Sequence, residues 1–96
     1  MAKIKEKKYI TKYVEAILIP LMSKNLILLR GTKGYIMCGY LNLKVAEKLK
    51  DVAIKIMGVS SIKDALKAKV HSCTSPARKL GIRKGLPVKE ALKIIA

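Results

Sequence analysis

Cys38, Cys73 and His71 are the residues of this 96-residue chain best suited to nucleophilic or ligand chemistry. Cys38 is the sharpest candidate. It closes the apolar run Tyr35 to Cys38 and is followed by Gly39 and then by Asn42. A strand ending at Cys38 and a helix starting near Asn42 would place the thiol beside free helix amides. There the macrodipole and neighbouring lysines favour the thiolate. His71 is the candidate base if the fold brings it within reach, and the chemistry would be nucleophilic catalysis. The competing reading makes Cys38 a small apolar residue buried in a sheet, which is how free cysteine usually behaves.

Gly31-Thr32-Lys33-Gly34 is the second place of interest, since its amides and Lys33 could cradle a phosphate. It lacks P-loop spacing and lies between two apolar runs, so a hairpin turn is the expected structure, with both glycines supplying positive-φ freedom. Lys33, Gly34, Gly39 and Asn42 are therefore the candidate ligand contacts. One histidine and two cysteines cannot build a Cys2His2 zinc site within one subunit. No metal set, no Ser-His-Asp order with a nucleophile elbow and no paired carboxylates are visible, and no cofactor is called for. Whether the chain is an enzyme stays open.

The elements that must position these residues follow from composition and period. Apolar residues make up 51% of the chain although Phe and Trp are absent, so the core must be aliphatic. A mean hydropathy of +0.21 leaves more aliphatic surface than a lone small domain can hide, which favours self-association. Lys and Arg total 21 against 6 Asp and Glu, a net charge of +15. Such a surface attracts polyanions in a salt-dependent way. It reads either as a solvated lysine-rich coat or as a non-sequence-specific nucleic-acid face, with Tyr9 and Tyr13 available to stack on bases. The basic start lacks a signal-peptide form, and Ala16 to Met22 is too short to span a bilayer; the expectation is a cytoplasmic protein without a membrane partner.

Residues 1–8 read as a basic lead-in or edge strand, and residues 9–96 as a single domain. Tyr9 to Ile19 predicts one strand with Ile10, Val14 and Leu18 on one face. Pro20 and Ser23-Lys24-Asn25 end it, and Leu26 to Leu29 predicts a central strand. After Asn42, the stripe Val45, Leu49 and Val52 predicts a helix buried on that side. Ala53 to Met57 reads as another strand, and Val70 to Thr74 as a brief one. Short helices are predicted after Ser61, at Ser75-Pro76 and from Val88 to Ile95. The whole is an α+β domain, an N-terminal antiparallel or mixed sheet with short C-terminal helices packed on it. Few helices lie near the first strands in sequence, so a second copy is the natural cover. Tyr9, Tyr13, Ile17, Leu26 and Leu28 are the candidate interface residues.

The segment Gly34-Tyr35-Ile36-Met37-Cys38-Gly39, continuing to Asn42, resembles the signature of the YunC-like family, a domain of unknown function. Leu80 to Gly85, with Glu90-Ala91-Leu92, resembles its C-terminal pattern. The resemblance implies an α+β fold whose N-terminal β region serves tetramerisation, and it implies no known activity. Members commonly carry Asp where this chain has Asn42, which cannot act as an anionic base. The first expectation is thus a homo-oligomer, tetrameric, with an unassigned binding or accessory role. The alternatives are an enzyme using Cys38 and a nucleic-acid binder.

Overall fold

The structure, a computed structural model, describes the backbone of residues 6–11 and 13–96 and the side chains of residues 13–96. In chain order the elements are β1 Glu6–Thr11, β2 Val14–Pro20, β3 Asn25–Arg30, β4 Tyr35–Met37, α1 Leu43–Leu49, β5 Ala53–Lys55, α2 Ile62–Lys67, β6 Ser72–Cys73, α3 Ser75–Lys79 and α4 Val88–Ile95. The strands form one sheet in sequence order, β1-β2-β3-β4-β5-β6. Every pairing is antiparallel except β4 with β5, which are parallel and joined through α1. The fold is α+β, with a mixed sheet and short helices after it. Among the described residues no helix is long and apolar enough to cross a membrane.

The register assigns side chains to two faces. Ala16 faces Leu29, Leu18 faces Ile27, and Leu29 faces Ile36, all buried. With Ile54 they meet Ile62 and Ala65 of α2 and Val88, Ala91, Leu92 and Ile95 of α4 in one aliphatic core. Each large aliphatic side chain sealed there contributes roughly 1.5–3 kcal/mol. The α4 stripe is the one its 3.6 period predicts.

The opposite face is covered only in part. Ala46 of α1 seats on Met37 and Ala53, with Leu28, Tyr35, Leu41 and Leu43 around them. This corrects the stripe expected for α1. Val45 is 52% exposed and Leu49 67% exposed, while Ala46 is the residue buried. Residues 43 and 46 form a helical seam as good as 45 and 49. The close approach of α1 to the sheet selects the seam with the small residue.

Two further corrections concern turns. Tyr9 to Ile19 is two strands, not one: the chain reverses between Thr11 and Val14 with a register slip between Tyr9 and Thr11. Tyr13 sits in that turn, 55% exposed, so it does not extend a β1 face. The reversal uses no glycine, proline or asparagine, and a run of β-formers hid it. The side chains of Tyr9 and Ile10, and residues 1–5 of the lead-in, lie outside the described residues; residues 6–8 open β1. Gly31 and Gly34 are not in the positive-φ region, where only Gly58, Gly81 and Gly85 stand among the glycines. Their missing side chains serve close packing instead. A Cβ at Gly31 would overlap the Ile95 carbonyl, and one at Gly34 would strike the Val52 carbonyl at 2.6 Å.

Candidate functional site

β4 and β5 run in parallel, so the loops leaving them emerge at the same end of the sheet. Each strand is followed by a glycine on the way to a helix: Cys38-Gly39 after β4, Met57-Gly58 after β5. Between these loops and the turn joining β2 to β3 lies a cleft of about 810 Å³. Cys38, Tyr40, Met57 and Val59 line it on one side and Leu21 and Met22 on the other. Met57, half exposed in the cleft lining, has its sulfur 3.1 Å from where a Cβ of Gly39 would stand. Asn25 Nδ2 donates to the Ser60 carbonyl at 2.9 Å, tying the β2–β3 turn to the β5 loop. The Ser60 hydroxyl and amide donate to Asp64 at 2.9 and 3.2 Å. The hydroxyl bond, then the amide, hold that carboxyl below its usual range.

Cys38 lines this cleft but is only 3% exposed. Its Sγ accepts a hydrogen bond from the Ile27 amide at 3.3 Å, and its own amide donates to the Ile27 carbonyl at 3.2 Å. The thiol thus replaces a carbonyl in the β3–β4 ladder. The amides of α1 do not reach it. Asn42 caps that helix, its Oδ1 accepting from the Lys44 amide at 2.8 Å, and a tight turn from Cys38 to Leu41 intervenes. His71 is exposed, with Nδ1 3.2 Å from the Ser72 hydroxyl. No hydrogen bond joins it to Cys38 among the described residues. Cys73 is buried on β6, donates to the Ile82 carbonyl at 3.6 Å, and has its pKa raised by burial. Among the described residues no group of His, Cys, Asp and Glu could hold a metal.

The four candidate ligand contacts are split between the two ends of the sheet. Gly39 lies in the cleft wall and Asn42 a few residues on, whereas Lys33 and Gly34 lie at the far end. There the Lys33 amide donates to the Ile95 carbonyl and the Gly31 amide to the Gly34 carbonyl, both at 2.8 Å. The turn is occupied in holding the end of α4. Around it, Tyr35 donates to Asp51 at 2.8 Å, and burial followed by that bond pushes Tyr35 up to about 12. The Thr74 hydroxyl donates to the Asp51 carbonyl at 2.6 Å and accepts from the Ala53 amide at 3.2 Å. Glu47 accepts from the Ser75 hydroxyl at 2.8 Å and its amide at 3.0 Å, bonds that hold its carboxyl below the usual range.

Of the candidate interface residues, Ile17 faces Leu28 and Leu26 faces Ile19 across the β2–β3 ladder. All four are half-buried. Beside them the buried Glu15 carboxylate pairs with Arg30. The Met57 and Ser60 side of the cleft was not among the expected site residues. Its signal was available: two apolar strands each ending in a glycine, separated by one helix, spell a parallel pair with both exits on one side.

A family model described as a domain of unknown function (DUF1805) matches residues 37–95. The chain is similar to the uncharacterized protein YunC of Bacillus subtilis, with 38% identity over 81 residues, 80% of each chain. In structure it is similar to a protein of unknown function, TA1206 from Thermoplasma acidophilum, with a TM-score of 0.88 and 32% identity. That match covers 100% of this chain and 94% of the other.

Proposed function

This chain belongs to the DUF1805 family, and on that premise we propose that it is a cytoplasmic homotetramer with a binding role. Copies join through the uncovered face of β2 and β3, and the cleft beside Cys38 receives the ligand. The observation that carries the assembly is the outer face itself. Ile17 and Ile19 sit half-exposed on β2 outside both apolar clusters, while α1 covers the β4–β5 side and reaches only Leu28 of β3. A small monomer gains by burying such a surface against a second copy. The cleft supports the binding role: its volume falls in the range of small-molecule sites, and it opens where parallel strands end.

Light scattering coupled to gel filtration tests the assembly. Four chains of 10.6 kDa should elute as one species, and Ile17→Lys with Ile19→Glu should release folded single copies. The tetramer should tighten as salt rises, because each subunit carries +15. A compact single copy of the unaltered chain at micromolar concentration overturns the reading.

The thiol-enzyme reading differs by what Cys38 does. A thiol bonded into the sheet should react with iodoacetamide more slowly than a free thiol, and faster once the protein unfolds. Native alkylation of Cys38 faster than a free thiol would instead favour catalysis.

A further inference from the structure

The stretch Arg78-Lys79-Leu80-Gly81-Ile82-Arg83-Lys84-Gly85 plays no part in the cleft or in the apolar sheet face. We propose that it is a docking surface for the phosphodiester backbone of double-stranded nucleic acid. The inference goes beyond the assembly and the cleft and depends on neither.

The first argument is how the segment is held. Arg78, Lys79, Arg83 and Lys84 are all exposed, while Ile82 between them is 1% exposed and fixed in the core. The Ile82 amide donates to the Ala77 carbonyl at 3.2 Å, and its carbonyl accepts from Cys73. Gly81 and Gly85 take the left-handed conformation, with φ of 97° and 88°. The Gly85 amide donates to the Val70 carbonyl at 2.8 Å, and the Leu86 amide to the Arg83 carbonyl at 3.1 Å. A buried anchor and two left-handed glycines thus turn Arg83 and Lys84 outward on a fixed loop. The backbone ordering that a flexible basic tail would lose on binding is already complete here.

The second argument is charge. The chain has 6 acidic residues in all. Among the described residues the ion pair that this segment makes is between Arg78 and Glu47 at 4.0 Å, and that carboxylate is already engaged by Ser75. No ion pair involves Lys79, Arg83 or Lys84 among the described residues. Arg78 is engaged by Glu47, the Cys73 carbonyl and the Ser75 hydroxyl, which leaves Lys79, Arg83 and Lys84 as the unneutralised cations that phosphates would take.

The third argument chooses the partner. Single-strand binding relies on aromatic rings that stack with bases. Tyr13 sits in the β1–β2 turn, Tyr40 at the cleft, and the Tyr35 hydroxyl is tied to Asp51. None belongs to this segment, so phosphate contact without base contact is the chemistry offered. A bilayer would need a broad apolar face, and here Leu80 is the one exposed large apolar residue.

The test is fluorescence anisotropy of the full chain with a short labelled duplex, as DNA and as RNA, over a salt series. Contacts from Lys79, Arg83 and Lys84 should give a slope of log K against log salt of about −2.7 per chain. Arg83→Ala with Lys84→Ala should make it shallower by about 1.8. Lys44→Ala with Lys63→Ala, the same charge removed from α1 and α2, should leave the slope nearly unchanged. Circular dichroism confirms that both variants stay folded. Either duplex responding in this pattern supports the proposal, and DNA against RNA identifies the source of the backbone. An equal loss in both variants would mean diffuse attraction and would overturn it. So would tighter binding to the matching single strand, no duplex binding at all, or binding confined to anionic lipid vesicles.

Discussion

The two ends of the β4–β5 pair are built on opposite plans. Where the strands begin, Gly31 and Gly34 let backbone meet backbone: the β3–β4 turn bonds to the end of α4 and packs on Val52. Asp51 is held by Tyr35 through its side chain and by Thr74 through its carbonyl. Glu47 ties α1 to the start of α3. Where the same strands finish, the chain leaves a cleft lined by a buried thiol, by Met57 and by the wholly exposed Met22. One end spends its polar groups on itself. The other leaves room, and loops set on a rigid sheet are where binding is usually placed. The family match from residue 37 to 95 takes in the β4 and β5 cleft loops and all four helices, but not β1 to β3.

A methyl group distinguishes the two ends. Gly31→Ala would drive a Cβ into the Ile95 carbonyl, backbone against backbone, with no side chain able to move aside. The expected loss is about 3 kcal/mol of folding stability. Gly39→Ala meets only the sulfur and methyl of Met57, at 3.1 and 3.2 Å. Methionine is flexible, and swinging it away should cost under about 1 kcal/mol. Chemical denaturation of both variants measures the difference. Equal losses would mean that the cleft end is packed as tightly as the other, and the contrast would fail.

Much of this frame was legible in the residues. The α4 stripe, the Asn42 and Ser61 caps, the strand runs at 26–29 and 35–38 and the brief strand near Cys73 all appear where local chemistry places them. What was hidden depended on tertiary contact. Gly31 and Gly34 look like turn glycines, and only the arrival of α4 and Val52 shows that they are spacing glycines. Val45 and Leu49 have the spacing of a buried stripe, yet the sheet approaches α1 from the Ala46 side. The β1–β2 reversal has no turn residue to announce it. For Cys38, the sequence places the thiol at a strand end near a helix. It cannot show that the Ile27 amide, not the helix, supplies its hydrogen bond. Lys33 and Gly39 are close along the chain and lie at opposite ends of a strand, so nearness in sequence does not bring them into one ligand site.

The smallest effect is a matter of pH and belongs to the self-bonded end. Tyr35 is raised from 10.0 to about 12, chiefly by burial and then by its bond to Asp51. A raised folded-state pKa means that the neutral phenol is the form the fold favours. The stabilisation is whole below pH 10 and drains away as pH climbs from 10.0 toward about 12. Glu47 and Asp64 have the opposite sign. Each is lowered by serine hydrogen bonds, so each stabilises above its ordinary carboxyl pKa and loses that contribution as acid takes pH down through the folded-state value. Acid therefore loosens a contact at both ends, Glu47 to Ser75 at one and Asp64 to Ser60 at the other. Alkali separates them, because the Tyr35–Asp51 bond belongs only to the end where the strands begin. Melting temperatures of the unaltered chain and of Tyr35→Phe should differ at pH 9 and converge by pH 12. The common titration of lysines cancels in that difference. A gap that is constant across the range would show that the fold does not raise Tyr35 above its ordinary pKa, and neither its burial nor its Asp51 bond would then favour the neutral phenol at that end.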